Sequence, residues 1–450
     1  MSLKSTLESS DNIHYELYLT GLTEDTVRKI SAEQKEPQRM LDHRLKCLEI
    51  FKSMKLPKWP SLEKLNLDDI VYYAKPHQDN EYAHNREDVP TEIKDKFKRL
   101  GIPEAEAKYL AGAGQYDSLN VYHQIQDKRA EKGIIFEDMA QAVIKYPELV
   151  KKHFMTLVPA TDHIFAALHG AVWSGTFVYV PKVKLTDPLQ AYFRMNTYAG
   201  GQFEHTMIII DDEAEGSYIE GCSAPKFDKA SLHAGLVEVF VGKYAKMKYS
   251  SVENWSTNTY NLNTKRSLIE EHGYMEWVNG NLGSYTTMLY PCSVLKDYSK
   301  TDMLGIAVAG QQHQDTGSKA IHIGKYTSSN IVAKSISKAG INTYRGLVKI
   351  AKAQATNYTQ CDALLFDDNS ISNTIPVIQS DNDTAIIAHE ASAGKIDESE
   401  LFYLMSRLSK DKATTMIVNG FFSSVIKKLP LEYAGELNKL VEMEMEGSIG

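Results

Sequence analysis

Cysteine is scarce: the 450 residues contain four, Cys47, Cys222, Cys292 and Cys361, and no two of them share a short loop. That excludes a C-x-x-C zinc ribbon, a local all-cysteine cluster motif and a disulfide-dense secreted scaffold. Positive charge is not in excess either, since 50 Lys+Arg against 58 Asp+Glu leave a net charge of −8. A nucleic-acid binder working by phosphate neutralisation needs the opposite balance. No run of about 18 apolar residues occurs, and MSLKSTLESSDNIHYEL lacks the basic, apolar and small-residue order of a signal peptide. The expectation is a protein of the reducing cytoplasm that engages neither membrane nor nucleic acid. The standard catalytic signatures are missing as well: no G-x-x-x-x-G-K-[ST], no G-x-G-x-x-G after a strand, no G-x-S-x-G and no H-E-x-x-H. The chain is not expected to hydrolyse ATP by itself.

What is present is an ordinary globular composition, 43% apolar and 24% charged, in three textures. Residues 1–170 read as mostly helical: Thr23–Met54 repeats apolar residues three and four apart and stops at Pro57 and Pro60, and Thr91–Leu100, Ala105–Ala113 and Phe136–Phe154 are further helical segments. Residues 171–393 read as short strands separated by Gly, Asn, Asp and Ser, with few gaps long enough for a crossover helix. A sandwich, barrel, propeller or β-solenoid would satisfy that pattern. One echo favours the solenoid: VEVFVGKYAKMKYSS and KAIHIGKYTSSNIVAKS share a strand, a Gly-Lys-Tyr corner and a strand. Residues 394–450 return to helix, with Asp397 and Glu400 as a capping start and Leu401, Phe402, Leu404, Met405 and Leu408 forming one apolar face. That face either packs on the β region or docks a partner.

Three constellations could carry chemistry. Cys361 in TQCDALLF and His389-Glu390 in AHEAS offer thiolate, imidazole and carboxylate, the donors that hold a transition metal or an iron-sulfur cluster. The plain alternative makes Cys361 a small buried hydrophobe. Cys222 in EGCSAP follows a glycine where a strand bends, which could expose its sulfur, or it is a core residue at a corner. Arg194 with Asn196, and Glu253 with Trp255, are spaced to share one strand face, solvated if outside and in need of partners if inside. Cys47 and Cys292 read as packing residues, and His313 and His322 fit no ligand spacing.

Read in order, the blocks QAYFRMNTYAGGQFEHTMIII, SYIEGCSAP, LHAGLVEVFV, KYSSVENW, NTKRSLIE, HQDTGSKAIHIG, TQCDALLF and AHEASAGKIDESELFYLMSRLS resemble the SufB branch of the SufB/SufD family of the SUF iron-sulfur cluster assembly system. The resemblance spans nearly the whole chain. It implies a right-handed parallel β-helix core flanked by an N-terminal α-helical region and a C-terminal α-helical domain on which the ABC-type ATPase SufC docks. It implies a non-enzymatic scaffold that works with SufC, with SufD or a second SufB copy, with a cysteine desulfurase or sulfur-transfer protein, and with apo iron-sulfur proteins. Its cofactor would be a transient iron-sulfur cluster, with reduced flavin as a further component of the complex. Residue by residue, Cys222 matches the sulfur acceptor, Cys361, His389 and Glu390 the nascent-cluster and iron ligands, and Arg194, Asn196, Trp255 and Lys265 the lining of a sulfur path between the cysteines. Glu253 stands in that path where relatives often carry Gln, so a carboxylate would need Lys265 or Arg194 beside it.

Overall fold

A computed structural model describes residues 15–76, 111–116, 119–125, 132–195, 197–224, 229–429, 434–435, 437–438 and 440–442. Its centre is a parallel β-solenoid of about eight turns. One sheet carries the rungs Leu189–Arg194, Glu215–Ser223, Lys246–Trp255, Tyr274–Gly283, Lys300–Ala309, Ser328–Ser337, Thr356–Leu365 and Ile386–Lys395; the facing sheet carries the strands between them. Each residue pairs with one between 26 positions on (Tyr274 with Lys300) and 31 positions on (Glu215 with Lys246). The sequence favoured a solenoid among β architectures, and the strand order bears this out.

The corners explain the Gly-Lys-Tyr echo. Tyr244, His272, Tyr298 and Tyr326 occupy successive turns at φ of 57° to 59°, and their rings stack 4.6, 4.7 and 4.9 Å apart. The stacked rings help hold residues in a left-handed conformation that L side chains adopt at a cost. Gly242 precedes one such corner because a Cβ there would meet the Asp211 carbonyl carbon at 2.7 Å.

The interior between the sheets is apolar at its first rungs, with Val178, Leu189, Phe193, Ile208, Tyr218, Val239 and Trp277 in one cluster. Because the first rungs are covered on their outer faces too, strands such as Leu189–Arg194 and Glu204–Ile210 are buried on both sides and read as near-continuous apolar runs. The N-terminal region covers the outside of one sheet. Thr23 caps Glu24–Glu33 by accepting from the Thr26 amide, and Gln38–Ser53 crosses Ile164–Val172 so closely that a Cβ on Gly170 would meet the Cys47 Sγ at 2.6 Å. Cys47 is thus a packing residue. The region is less helical than its periodicity suggests: Tyr15–Thr20 pairs with Val71–Pro76, and Ile135–Asp138 is a strand leading into the short helices Met139–Lys145 and Pro147–His153. Ala111–Tyr116 is a strand as well, where the sequence reads helix to Ala113; Thr91–Leu100 lies outside the described residues.

Two C-terminal helices behave differently. Lys410–Ile426 seals the outer face of the other sheet, with Val418, Phe422, Val425 and Ile426 against Ile219, Val252, Val278 and Leu304. Glu398–Met405, capped by Asp397 accepting from Ser399 and Glu400, buries none of its residues. Phe402 is 78% and Tyr403 77% exposed, so of the two readings of this apolar face, packing on the β region is not the one the structure shows.

Candidate functional site

Inward-facing side chains line up from rung to rung because parallel register stacks like positions. One such column runs Glu220, Ser251, Asn279, Gly305, Ala333, Cys361 and Ala391. Cys222 lies in the neighbouring column, between Phe193 on the rung before and Glu253 on the rung after. Five rung spacings separate the level of Cys222 from that of Cys361, about 24 Å at ~4.8 Å each.

Around Cys222 the interior turns polar and fully enclosed. Its Sγ lies 3.8 Å from Glu220 Oε1. Tyr249 donates to Glu220 at 2.6 Å, and Lys265 Nζ donates to Glu253 Oε1 at 2.8 Å and to Ser251 Oγ at 2.9 Å while lying 3.8 Å from Glu220. Glu253 also accepts from Asn261, Asn263 and the Trp255 indole. Asn261 presents its oxygen to His233 Nδ1 at 2.7 Å, and His233 Nε2 meets Glu204 in a short contact. Burial, reinforced by Glu220, Glu253 and Glu204, pushes the Cys222 thiol well above its ordinary pKa. Burial also opposes the charge on Glu253, yet Lys265 and His233 hold it down at about 2; Glu220, where burial outweighs Lys265, rises to about 7. The carboxylate that Glu253 brings into this space therefore has Lys265 as its partner.

Beyond Asn279 the column loses its bulk. A side chain on Gly305 would meet nothing within 4 Å, and a cavity opens between the sheets, lined by Asn279, Gly305, Ala333, Tyr344 and Cys361. At its far end Cys361, 5% exposed, places Sγ 3.7 Å from His389 Nε2, with the Tyr344 hydroxyl facing the thiol. Burial, and after it Asp362, raises Cys361 to about 12; burial lowers His389, which favours the neutral imidazole a metal needs. The next rung is the last described. Ile371–Ser380 and Ile386–Lys395 are edge strands, and Ile375, Val377, Ile378 and Ile386 are exposed.

The sequence-derived residues separate accordingly. Glu253, Trp255 and Lys265 surround Cys222 in the interior, and Cys361 meets His389. Glu390 registers with Gln360 on the outer face, where Tyr358 donates to it at 3.2 Å, so it stands across the sheet from Cys361. Arg194, expected inside, also lies on the outer side: Phe193 and Ala191 take the core, and Arg194 donates to Ser223 Oγ at 3.0 Å. Asn196 lies outside the described residues. Sequence reasoning named Glu220 only as part of the EGCSAP motif and missed Glu204, His233, Asn261 and Tyr344; the signal was a polar residue inside an otherwise apolar strand, as in QFEHTMIII and SLHAG.

The comparisons with known proteins fit this geometry. Residues 193–421 match the family model described as SUF system FeS cluster assembly, SufBD core domain, and residues 18–191 match the SufBD protein N-terminal region. An iron-sulfur cluster assembly SufBD family protein of Staphylococcus haemolyticus (strain JCSC1435) is 50% identical over 440 residues, 96% of this chain and 94% of that protein. One from Staphylococcus aureus (strain MRSA252) is 51% identical over the same length and shares. The chain belongs to the SufBD family. The match places the chain in iron-sulfur cluster assembly without separating the SufB from the SufD branch. Neither the family descriptions nor the described residues support a flavin. Among the described residues no helix is long and apolar enough to cross a membrane.

The buried histidines of this SufBD protein set its response to acid. Burial lowers His43 to about 4, His205 to about 3 and His322 to about 4, and lowers His153, His163, His169, His313 and His389 as well. A depressed folded pKa gives stability that is present above the unfolded value of about 6.5 and is lost as pH falls toward the folded one. Asp138, Glu220 and Glu238, raised by burial to about 7, act oppositely, their contribution present at low pH and lost as pH rises through about 7. Between about pH 6.5 and 5 the eight histidines outnumber the three carboxyls. Unfolding free energy should therefore fall as pH drops through that range. Urea melts across that range check this, and a flat profile would contradict it.

Proposed function

We propose that this SufBD chain is the SufB-type scaffold of the SUF system, acting in the cytoplasm without catalytic turnover of its own. Cys222 accepts sulfane sulfur from a desulfurase-derived persulfide, the donor leaving as a thiol so that the transfer is redox-neutral. Sulfur then moves along the interior past Glu253, Trp255 and Lys265 to Cys361. There Cys361 and His389 bind iron, and an external reductant supplies the two electrons that convert sulfane sulfur to sulfide. The observation that carries this reading is the inward column that ends, across an open cavity, at the Cys361–His389 pair.

The surfaces support the partners. The exposed apolar face of Glu398–Met405 suits SufC, and the uncovered last rung suits SufD or a second copy of this chain, since bare edge strands are normally covered. Glu390 reaches the Cys361 side only if the edge strand turns, a movement that ATP-driven closure of SufC would supply. Apo iron-sulfur proteins then take the cluster, whose mixed S and N ligation suits release.

The rival reading is a SufD-like structural subunit. Co-expression with a SufC-type ATPase, anaerobic reconstitution with iron and a sulfide donor, and iron and sulfide analysis of the complex separate the two. The scaffold reading expects a visible chromophore with iron and sulfide retained through gel filtration. A stable complex that retains neither would make this chain the structural subunit.

A further inference from the structure

We propose that Glu204, Cys222 and His233 form a binding site for one borderline-soft divalent cation, Fe(II) or Zn(II), inside the solenoid. This goes beyond the sulfur-acceptor reading, shares only Cys222 with it, and does not involve Cys361.

The three residues come from different strands, Glu204–Ile210, Glu215–Ser223 and Ser231–His233, and one donor atom of each lies within 4.8 Å of the others. A cation centred among atoms that far apart is at most about 2.8 Å from each, so closure by a few tenths of an ångström reaches Zn–S and Zn–N bond lengths. Two features point to a missing ligand. Glu204 is 1% exposed, yet its Oε2 has no hydrogen-bond partner, a costly state for a buried carboxylate oxygen. The carboxylate is also pressed over Gly235, where a Cβ would collide with it, so the backbone leaves that space for the carboxylate.

His233 is already oriented as a ligand. Asn261 donates to Glu253 through Nδ2, which turns its oxygen toward His233 and places the ring proton on Nδ1. Nε2 is left facing Glu204, and the Trp255 ring, 4.2 Å from the imidazole centroid, fixes its plane. Metal-bound histidines characteristically have their second nitrogen held in this way. Glu220, 3.8 Å from Cys222 Sγ, could supply a fourth donor. Sulfur, nitrogen and carboxylate oxygen select zinc or ferrous iron over magnesium or calcium, which take oxygen alone. Binding exchanges the Cys222 thiol proton, and any proton on His233 Nε2, for the cation, with no change in oxidation state. A metal on this sulfur occupies the electrons that would attack a persulfide, so metal binding and sulfur acceptance compete for one atom.

The test uses full-length Cys361→Ser protein, which removes the thiol of the other site, incubated anaerobically with cobalt(II) and desalted. One equivalent of cobalt with a thiolate-to-metal charge-transfer band and tetrahedral visible bands is expected. Cys222→Ser in the same background should lose the charge-transfer band. Glu204→Gln and His233→Gln should each weaken binding at least ~10-fold. Displacement by zinc(II) or by iron(II) identifies which ion binds more tightly. As a second measurement, metal should raise the melting temperature of Cys361→Ser and not that of Cys222→Ser/Cys361→Ser. Absence of a cobalt–thiolate band, or an equal band and affinity in all the variants, would overturn the proposal, and neither outcome touches cluster assembly at Cys361.

Discussion

Cys361→Ser is expected to reduce the iron and sulfide retained by the SufC-containing complex to background, while persulfide labelling of Cys222 continues. The thiol sits where the inward column meets the cavity between the sheets, 3.7 Å from His389 Nε2. Burial holds it protonated in the free protein, at about 12, so iron must displace the proton, and thiolate–iron bonding repays that cost. A serine hydroxyl is a hard donor that loses its proton far less readily and cannot stand in for thiolate at iron. The swap is nearly isosteric, and the site lies by an open cavity, so the folded state should lose no more than about 1 kcal/mol. A melt alongside the iron and sulfide analysis separates lost ligation from lost fold. Full cluster content in a folded Cys361→Ser complex would remove Cys361 from the site.

How much of this was legible beforehand depended on which face of a strand each residue took. The solenoid showed through the Gly-Lys-Tyr corners because a positive φ and a close backbone approach must recur at each turn, leaving a residue signature. Cys361 with His389 was legible because a coil brings residues one turn apart together: His389 lies on the next rung, in register with Thr359, two residues from Cys361. Arg194 and Glu390 were misplaced for different reasons: Leu189–Arg194 is buried on both faces and shows no apolar alternation, while Ile386–Lys395 is an exposed edge strand whose small and polar residues leave no buried face to read, so neither FRMN nor AHEA reveals which parity points inward. Phe193 and His389 took the inside, and each left its charged neighbour on the other face. The polar set around Cys222 was illegible as a set because Glu204, Glu220, His233 and Glu253 come from four strands and meet only after two sheets close over them. The apolar face of Glu398–Met405 was legible as a face; whether it packs on its own domain depends on the angle at which the chain leaves the last rung, which no local pattern encodes.

Lys265→Met should destabilise the protein by about 3–5 kcal/mol, the cost of leaving a buried carboxylate without its counter-charge. Lys265 is fully enclosed, 2.8 Å from Glu253 and 3.8 Å from Glu220, and its ammonium also lies 5.2 Å from the Tyr249 ring centroid. Burial works against the charge, but the two carboxylates outweigh it and keep the lysine pKa above its ordinary value. Methionine preserves most of the side-chain volume, so the loss reports charge rather than packing. Glu253 would retain only amide and indole donors, from Asn261, Asn263 and Trp255. Against a typical total stability of about 5–15 kcal/mol such a loss is large, and urea unfolding monitored by circular dichroism will read it as a fall in midpoint. The double variant Lys265→Met/Glu253→Gln should recover most of it, since it removes the orphaned charge together with its partner. If the double variant is no more stable than the single one, the cost lies in lost packing or hydrogen bonds and the ion pair is not what holds this interior together. Recovery of stability without recovery of sulfur transfer to Cys361 would mean that the buried pair is retained for handling sulfur, because a neutral interior would have folded as well.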